Sequence, residues 1–225
     1  MKKLTTIFTA CMALIATGCE KGEAPSVPET DATTGATAPA ETSDDGDKAG
    51  DGKTLIVFFS RSGENWQVGT VEKGNTAVMV EYMVEATGAD VFEIVPETAY
   101  PQGYNETLTI ATNEKKSNAR PKFTGSIQNL DQYENVFVGG PIWWGEPPMI
   151  LHTFCETYSA LKDKTLIPFG THGGSGVGSY RTMLQKYYPS ARYLESLGIS
   201  GTSVRDASSK TAVENWIKKL GLDKK

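Results

Sequence analysis

The chain has 225 residues, with 22 Lys and Arg against 27 Asp and Glu, a net charge of −5, and 39% hydrophobic residues. Nothing in this charge balance resembles a nucleic-acid-binding surface. Its three cysteines, Cys11, Cys19 and Cys155, are too few and too scattered for a disulfide framework or a cysteine metal cage.

Met1-Lys2-Lys3 is a basic start, and Leu4 to Ala16 is mostly apolar with small residues towards its end. The stretch is too short and wrongly flanked for a membrane-spanning helix, and predicts a secretory signal over residues 1–18. Ala16-Thr17-Gly18-Cys19 resembles the bacterial lipobox, which implies lipid on Cys19 as the first mature residue. Lys2-Lys3 is not a twin-arginine pair, so export unfolded is expected. The expected address is extracytoplasmic, anchored by lipid to a cell membrane or outer membrane. Residues 19–53 are rich in Ala, Thr, Pro, Glu and Asp, with hardly a bulky apolar side chain. Such a segment cannot bury enough surface to offset its ordering entropy, and predicts a disordered acidic tether. Residues 54–225 hold 18 acids against 17 bases, so the folded part is nearly neutral and the acidity belongs to the tether.

Leu55-Ile56-Val57-Phe58-Phe59 is a continuous apolar run, as in a strand buried on both faces. It breaks into Ser60-Arg61-Ser62-Gly63 and resumes, after an insertion, as Gly74-Asn75-Thr76. A helical pattern follows (Ala77, Val80, Met83, Val84), with Asn75 or Thr76 as cap and Gly88 as stop. Asp90 to Val95 predicts a second strand closed by Pro96, and Tyr104 to Lys116 a helix. Val136-Phe137-Val138 predicts a short third strand entering Gly139-Gly140-Pro141. Pro147-Pro148 opens a helix to about Leu161. Thr165 to Phe169 predicts a fourth strand, and Gly170 to Gly176 the loop after it. A helix then runs to about Tyr188, a fifth strand covers Arg192 to Ile199, and a last helix spans Lys210 to Leu220. This alternation predicts one doubly wound, five-stranded parallel α/β domain over residues 54–225.

In such a sheet, ligands sit outside the carboxyl ends of the strands. The loops after strands one, three and four are rich in Gly and small polar residues, and are expected to meet at one site. Backbone N–H groups between Ser60 and Thr76, with the positive end of the following helix, suit an anion. In Gly140-Pro141-Ile142-Trp143-Trp144-Gly145, two indoles leave a buried strand, and a planar aromatic ligand would give them a stacking surface. Trp144 is the expected ligand contact, whereas Trp143 suits ligand and core equally.

At these residues the chain resembles the flavodoxin family. The family's Ser-x-Thr-Gly-Asn-Thr loop appears as Ser60-Arg61-Ser62 and Gly74-Asn75-Thr76, with Gly63 through Lys73 inserted and Trp66 added. Trp144-Gly145-Glu146 matches the family's Trp-Gly-acid after the third strand. The resemblance covers roughly residues 54 to 220 and implies strand order 2-1-3-4-5 with non-covalent FMN. It implies that Ser60, Arg61, Ser62, Gly74, Asn75 and Thr76 hold the phosphate and that Pro141, Ile142, Trp143, Trp144 and Gly145 border the ring. Thr171, His172, Gly173, Gly174 and Ser175 would line its far edge. Tyr180 is the candidate for the second ring face. The implied activity is electron transfer, as a one-electron carrier or an FMN-dependent reductase, with a quinone or a membrane electron donor as partner.

Two rivals remain. The split phosphate loop motivates a binding module that keeps the fold and holds no flavin. His172 and Ser175 invite a hydrolase reading, but Val177 stands where a Gly-x-Ser-x-Gly elbow needs its second glycine. Cys155, among Ile150, Leu151, Phe154 and Tyr158, and His152, beside Leu151, are expected to be structural.

Overall fold

The computed structural model describes residues 48–224. The expected signal at 1–18, the lipidation site Cys19 and the tether as far as residue 47 lie outside the described residues. In chain order the elements are β1 (Lys53–Phe58), β2 (Gly63–Asn65), β3 (Gly69–Val71), α1 (Asn75–Thr87), β4 (Asp90–Glu93) and β5 (Val95–Pro96). There follow α2 (Tyr104–Ser117), β6 (Phe123–Thr124), β7 (Tyr133–Pro141), α3 (Met149–Thr157) and β8 (Thr165–His172). The last are α4 (Gly178–Tyr187), β9 (Arg192–Tyr193), β10 (Leu197–Ser200) and α5 (Ala207–Leu220).

The main sheet runs β4-β1-β7-β8-β10, every pair parallel, which in chain order is the expected 2-1-3-4-5. Alternate residues of each strand feed the two sides. Leu55, Val57, Val136, Val138 and Leu166 pack with Phe154 of α3 and Leu184 of α4. Ile56, Phe58, Phe137, Ile167 and Phe169 pack with Met79 and Met83 of α1 and Val213 and Ile217 of α5. Each such side chain, once buried, contributes about 1.5–3 kcal/mol, which is why continuous apolar runs make central strands here.

Several boundaries differ from expectation. β7 is longer than its apolar triplet and carries Gly139 and Gly140 inside the strand. A Cβ on Gly139 would run into the Phe169 carbonyl of β8, and one on Gly140 would stand 2.6 Å from Tyr180 Oη. These glycines therefore admit close neighbours and do not end the strand. The fifth strand is split. β9 pairs with Thr165 and Leu166, while β10 resumes opposite Phe169 with one extra residue inserted. The amides of Leu194 and Gly201 donate to the carbonyls of Leu166 and His172, so those β8 peptides face the fifth strand. By alternation Pro168 faces it too, and its missing N–H coincides with the bulge. α3 stops at Thr157, and residues 159–163 continue as a 3-10 turn.

The insertion is an antiparallel hairpin, β2 with β3, closed by residues 66–68. The tether's expected end also shifts. The Ala49 amide donates to the Leu220 carbonyl at 2.9 Å, and Asn135 Nδ2 donates to the Gly50 carbonyl at 2.9 Å. Arg192 Nη2 donates to the Lys48 carbonyl at 2.7 Å. Residues 48–52 thus dock at the amino ends of the strands.

Candidate functional site

The carboxyl ends of β1, β7, β8 and β10 open, beside α2, into a cleft of about 480 Å³. Its first end is built by the split loop. Gly74 approaches the 60–61 backbone so closely that a Cβ there would run into Ser60 Oγ and the Arg61 carbonyl. The hairpin is therefore looped out, and the two halves of the motif meet across it. Gly74, and neither Asn75 nor Thr76, is the N-cap of α1 and offers no side-chain bond. Ser60 Oγ instead accepts from the Ala77 amide at 3.1 Å, capping the helix from another loop. Asn75 and Thr76 are nine-tenths buried or more, and Thr76 Oγ1 lies 2.9 Å from Thr171 Oγ1, which ties this loop to β8.

Arg61 lines the cleft, but its guanidinium is turned to backbone. Nη1 donates to the Ser62 and Pro101 carbonyls, each at 2.9 Å, and Nη2 to the Glu64 carbonyl. Burial draws its pKa down, with Glu64 opposing. Its role is to fasten the hairpin to the loop before α2. Ser62 and Gly74 border a separate shallow hollow with Glu72 and Lys73, and not the cleft.

The second end is aromatic. Pro141 and Ile142 carry β7 into a tight turn, in which Trp143 and Glu146 exchange both amide–carbonyl bonds, at 2.8 and 3.0 Å. Trp144 and Gly145 occupy its centre at φ 53° and 75°. Both angles are left-handed, as in the turns that favour Asn-Gly. Trp143 is half-buried, edge-on to Phe59 and Tyr100 at centroid distances of 5.6 and 5.1 Å. Trp144 is 55% exposed on the cleft wall, its Nε1 donating to Thr112 Oγ1 of α2 at 3.1 Å.

The hairpin adds Trp66 to the lining, 58% exposed and stacked at a tilt on Tyr104 with centroids 5.6 Å apart. A Cβ on Gly173 would lie 3.0 Å from Trp66 Cδ1, so this indole reaches from α2 to the loop after β8. Tyr180, expected at the second ring face, is fully buried and donates to the Pro141 carbonyl at 3.1 Å; it belongs to the core. Trp66 and Tyr104, unlike Tyr180, line the cleft. Sequence showed the added tryptophan but not the hairpin that aims it.

The loop after β8 places Thr171, His172, Gly173 and Ser175 on the cleft, while Gly174 is not part of its lining. His172 Nδ1 accepts from the Gly174 amide at 3.0 Å. Burial lowers its pKa below 6.5, with a bond to the Gly198 backbone opposing. The ring is thus held between two backbone groups. Ser175 Oγ has only a 3.5 Å bond to the Gly176 carbonyl. With His172 so engaged, the nucleophile–base pair a hydrolase needs is not formed. Gly201 and Thr202, after β10, also line the cleft. This fourth loop was missed, although Gly201-Thr202-Ser203 has the same small, hydroxyl-rich character as the other three. Cys155 and His152 sit apart. Burial pushes the Cys155 thiol up to about 12, and His152 Nδ1 pairs with Tyr187 Oη at 2.9 Å.

Among the described residues lining the cleft there is no Asp or Glu. Its lining combines hydroxyls, an amide and a helix start with no acid in its first turn with flat aromatic side chains. That donor set fits a long, flat molecule ending in an anion. No group of three or more His, Cys, Asp or Glu that could hold a metal occurs among the described residues.

A family model described as flavodoxin matches residues 53–220. A candidate flavoprotein from Bacteroides eggerthii is 30% identical, with TM-score 0.59, covering 76% of this chain and 99% of its own. A second, from Bacteroides uniformis, is 27% identical, with TM-score 0.58 and coverage of 74% and 98%. A flavoprotein from Lactobacillus acidophilus, solved in complex with FMN, is similar in fold at 19% identity and TM-score 0.52, covering 65% and 93%. No functionally curated relative matches the sequence.

Proposed function

We propose, from the premise that this chain belongs to the flavodoxin family, that its cleft holds a flavin and that the flavin is FMN. The observation that carries this reading is the lining of the cleft, in which phosphate-type donors and tryptophans stand together with no carboxylate among the described residues. The FMN complex of the Lactobacillus acidophilus protein supports it. Ser60, Asn75, Thr76 and the start of α1 would hold the phosphate. Trp144 on one side, with Trp66 and Tyr104 on the other, would cover the ring and exclude water from it, while the Gly145 backbone stands at its edge. Bound FMN supplies reversible electron acceptance, and the protein tunes that chemistry by stacking, dielectric and hydrogen bonding. The closed approach of Gly74 to residues 60 and 61 removes the motive for a flavin-free module, since the insertion leaves the two half-motifs together.

The role we propose is electron transfer, as carrier or as FMN-dependent reductase, with a quinone or a membrane electron donor as partner. We further propose attachment through Cys19 at an extracytoplasmic membrane surface. Replacing Cys19 with Ser should then release the protein from membranes; retention of the variant there would overturn the anchor. For the cofactor, adding FMN to purified full-length apoprotein should quench flavin fluorescence. Unquenched FMN at micromolar protein would defeat the flavin reading. Potentiometric titration separates the roles: two resolved one-electron steps mean a carrier, and one concerted two-electron step a reductase.

A further inference from the structure

We infer that Arg205, which lies outside the cleft lining, makes the site selective for a phosphorylated flavin; this rests on the cleft being a flavin site. Arg205 sits in the turn between β10 and α5, and its guanidinium forks across the start of α1. Nη1 donates to Asn75 Oδ1 at 2.6 Å and Nη2 to the Lys73 carbonyl at 2.7 Å, the two residues that flank the N-cap Gly74.

The first consequence is orientation. With Oδ1 committed to Arg205, the amide of Asn75 is locked with Nδ2 turned the other way. A Cβ on Gly201 would stand 2.8 Å from that Nδ2, and both residues line the cleft. Asn75 is nine-tenths buried, and its Nδ2 has no acceptor among the described residues. That donor opens on the cleft, where a ligand can accept from it.

The second consequence is charge. Arg205 forms no ion pair with a carboxylate among the described residues; Lys73 is neutralised by Glu81. A full positive charge therefore stands at the positive end of a helix that has no acid in its first turn. Alone, that arrangement is unfavourable, because like signs meet. An anion in the cleft suits both features: it accepts from the oriented Asn75 donor and balances Arg205 and the helix dipole. A phosphate monoester does this, and the terminal hydroxyl of unphosphorylated riboflavin does not. Arg205 is accordingly a positioning residue that acts through Asn75 and through its field.

The test compares FMN with riboflavin, by fluorescence quenching, on the full-length protein and on Arg205→Gln and Arg205→Lys. Wild type should prefer FMN. Arg205→Gln should weaken FMN about tenfold or more and riboflavin less than about twofold. Arg205→Lys, which keeps the charge and loses the fork, should give an intermediate ratio. Equal weakening of both flavins would mean a purely structural role, and an unchanged FMN affinity would mean no role; either overturns the inference while the flavin site stands. If Arg205→Gln does not fold, Arg205→Lys decides, and a wild-type ratio there overturns it. Wild type that binds neither flavin defeats the cofactor reading and this inference together.

Discussion

Trp144 adopts a backbone conformation that a bulky side chain rarely takes. Its φ of 53° sits in the left-handed region, where non-glycine residues other than Asn and Asp are strained by about 1–2 kcal/mol. Gly145 bears the other left-handed angle at no steric cost, and the doubly bonded turn holds both residues in place. The strain is retained at the aromatic wall of the cleft, where an indole is useful and an amide is not. Trp144→Asn creates the dipeptide such a turn favours, and should stabilise the apoprotein by about 1 kcal/mol, or a melting temperature about 2–4 °C higher. It should also loosen flavin binding. A lower melting temperature together with unaltered flavin affinity would show that the residue serves stability instead. At this scale the sequence was legible where chemistry is local. Ser60, Asn75, Thr76 and Trp144 could be picked out from their motif, and all four line the cleft. Tyr180 could not be judged, because its burial depends on glycines in two strands distant in the chain.

Elements were legible in kind and misplaced at their ends, and the reason is packing. Gly139 and Gly140 look like a loop because isolated glycines favour turns. The structure keeps them in β7 because Phe169 and Tyr180 need the space. Gly139→Ala should therefore cost about 3 kcal/mol by forcing β7 from β8 at the Phe169 carbonyl, measurable as a fall in urea midpoint with unchanged slope. An unchanged midpoint would mean the two strands can part freely. Pro168 was likewise readable as a residue and not as the cause of a bulge, since its effect falls on the neighbouring strand. The hairpin makes the complementary case. Trp66 is mostly exposed, so Trp66→Ala should alter stability by no more than about 0.5 kcal/mol. If it shields the ring, the same change should weaken flavin binding and increase residual flavin fluorescence. Wild-type quenching in that variant would leave the hairpin without a part in the cleft.

For the whole molecule, the titrating groups act in opposite directions as the pH falls. His152 and His172 both have folded pKa values below 6.5, set first by burial. The unfolded chain therefore binds more protons just below that pH, and stability is lost from pH 6.5 down to the folded values. Glu93 and Glu114 are raised above 4.5, again first by burial, so the native state takes up protons before the unfolded one. Stability recovers as the pH drops through that second window. Urea midpoints should dip just below pH 6.5, and His172→Gln should make the dip shallower; an identical dip in that variant would assign it elsewhere.

The docking of residues 48–52 at the amino ends of β7 and β9 has a practical corollary, because the cleft opens at the carboxyl ends of the same sheet. Whatever is joined upstream of residue 48 begins at the opposite pole of the domain. A solid support, an electrode or a fused carrier protein coupled directly at residue 48 would thus leave the mouth of the cleft turned towards the solution.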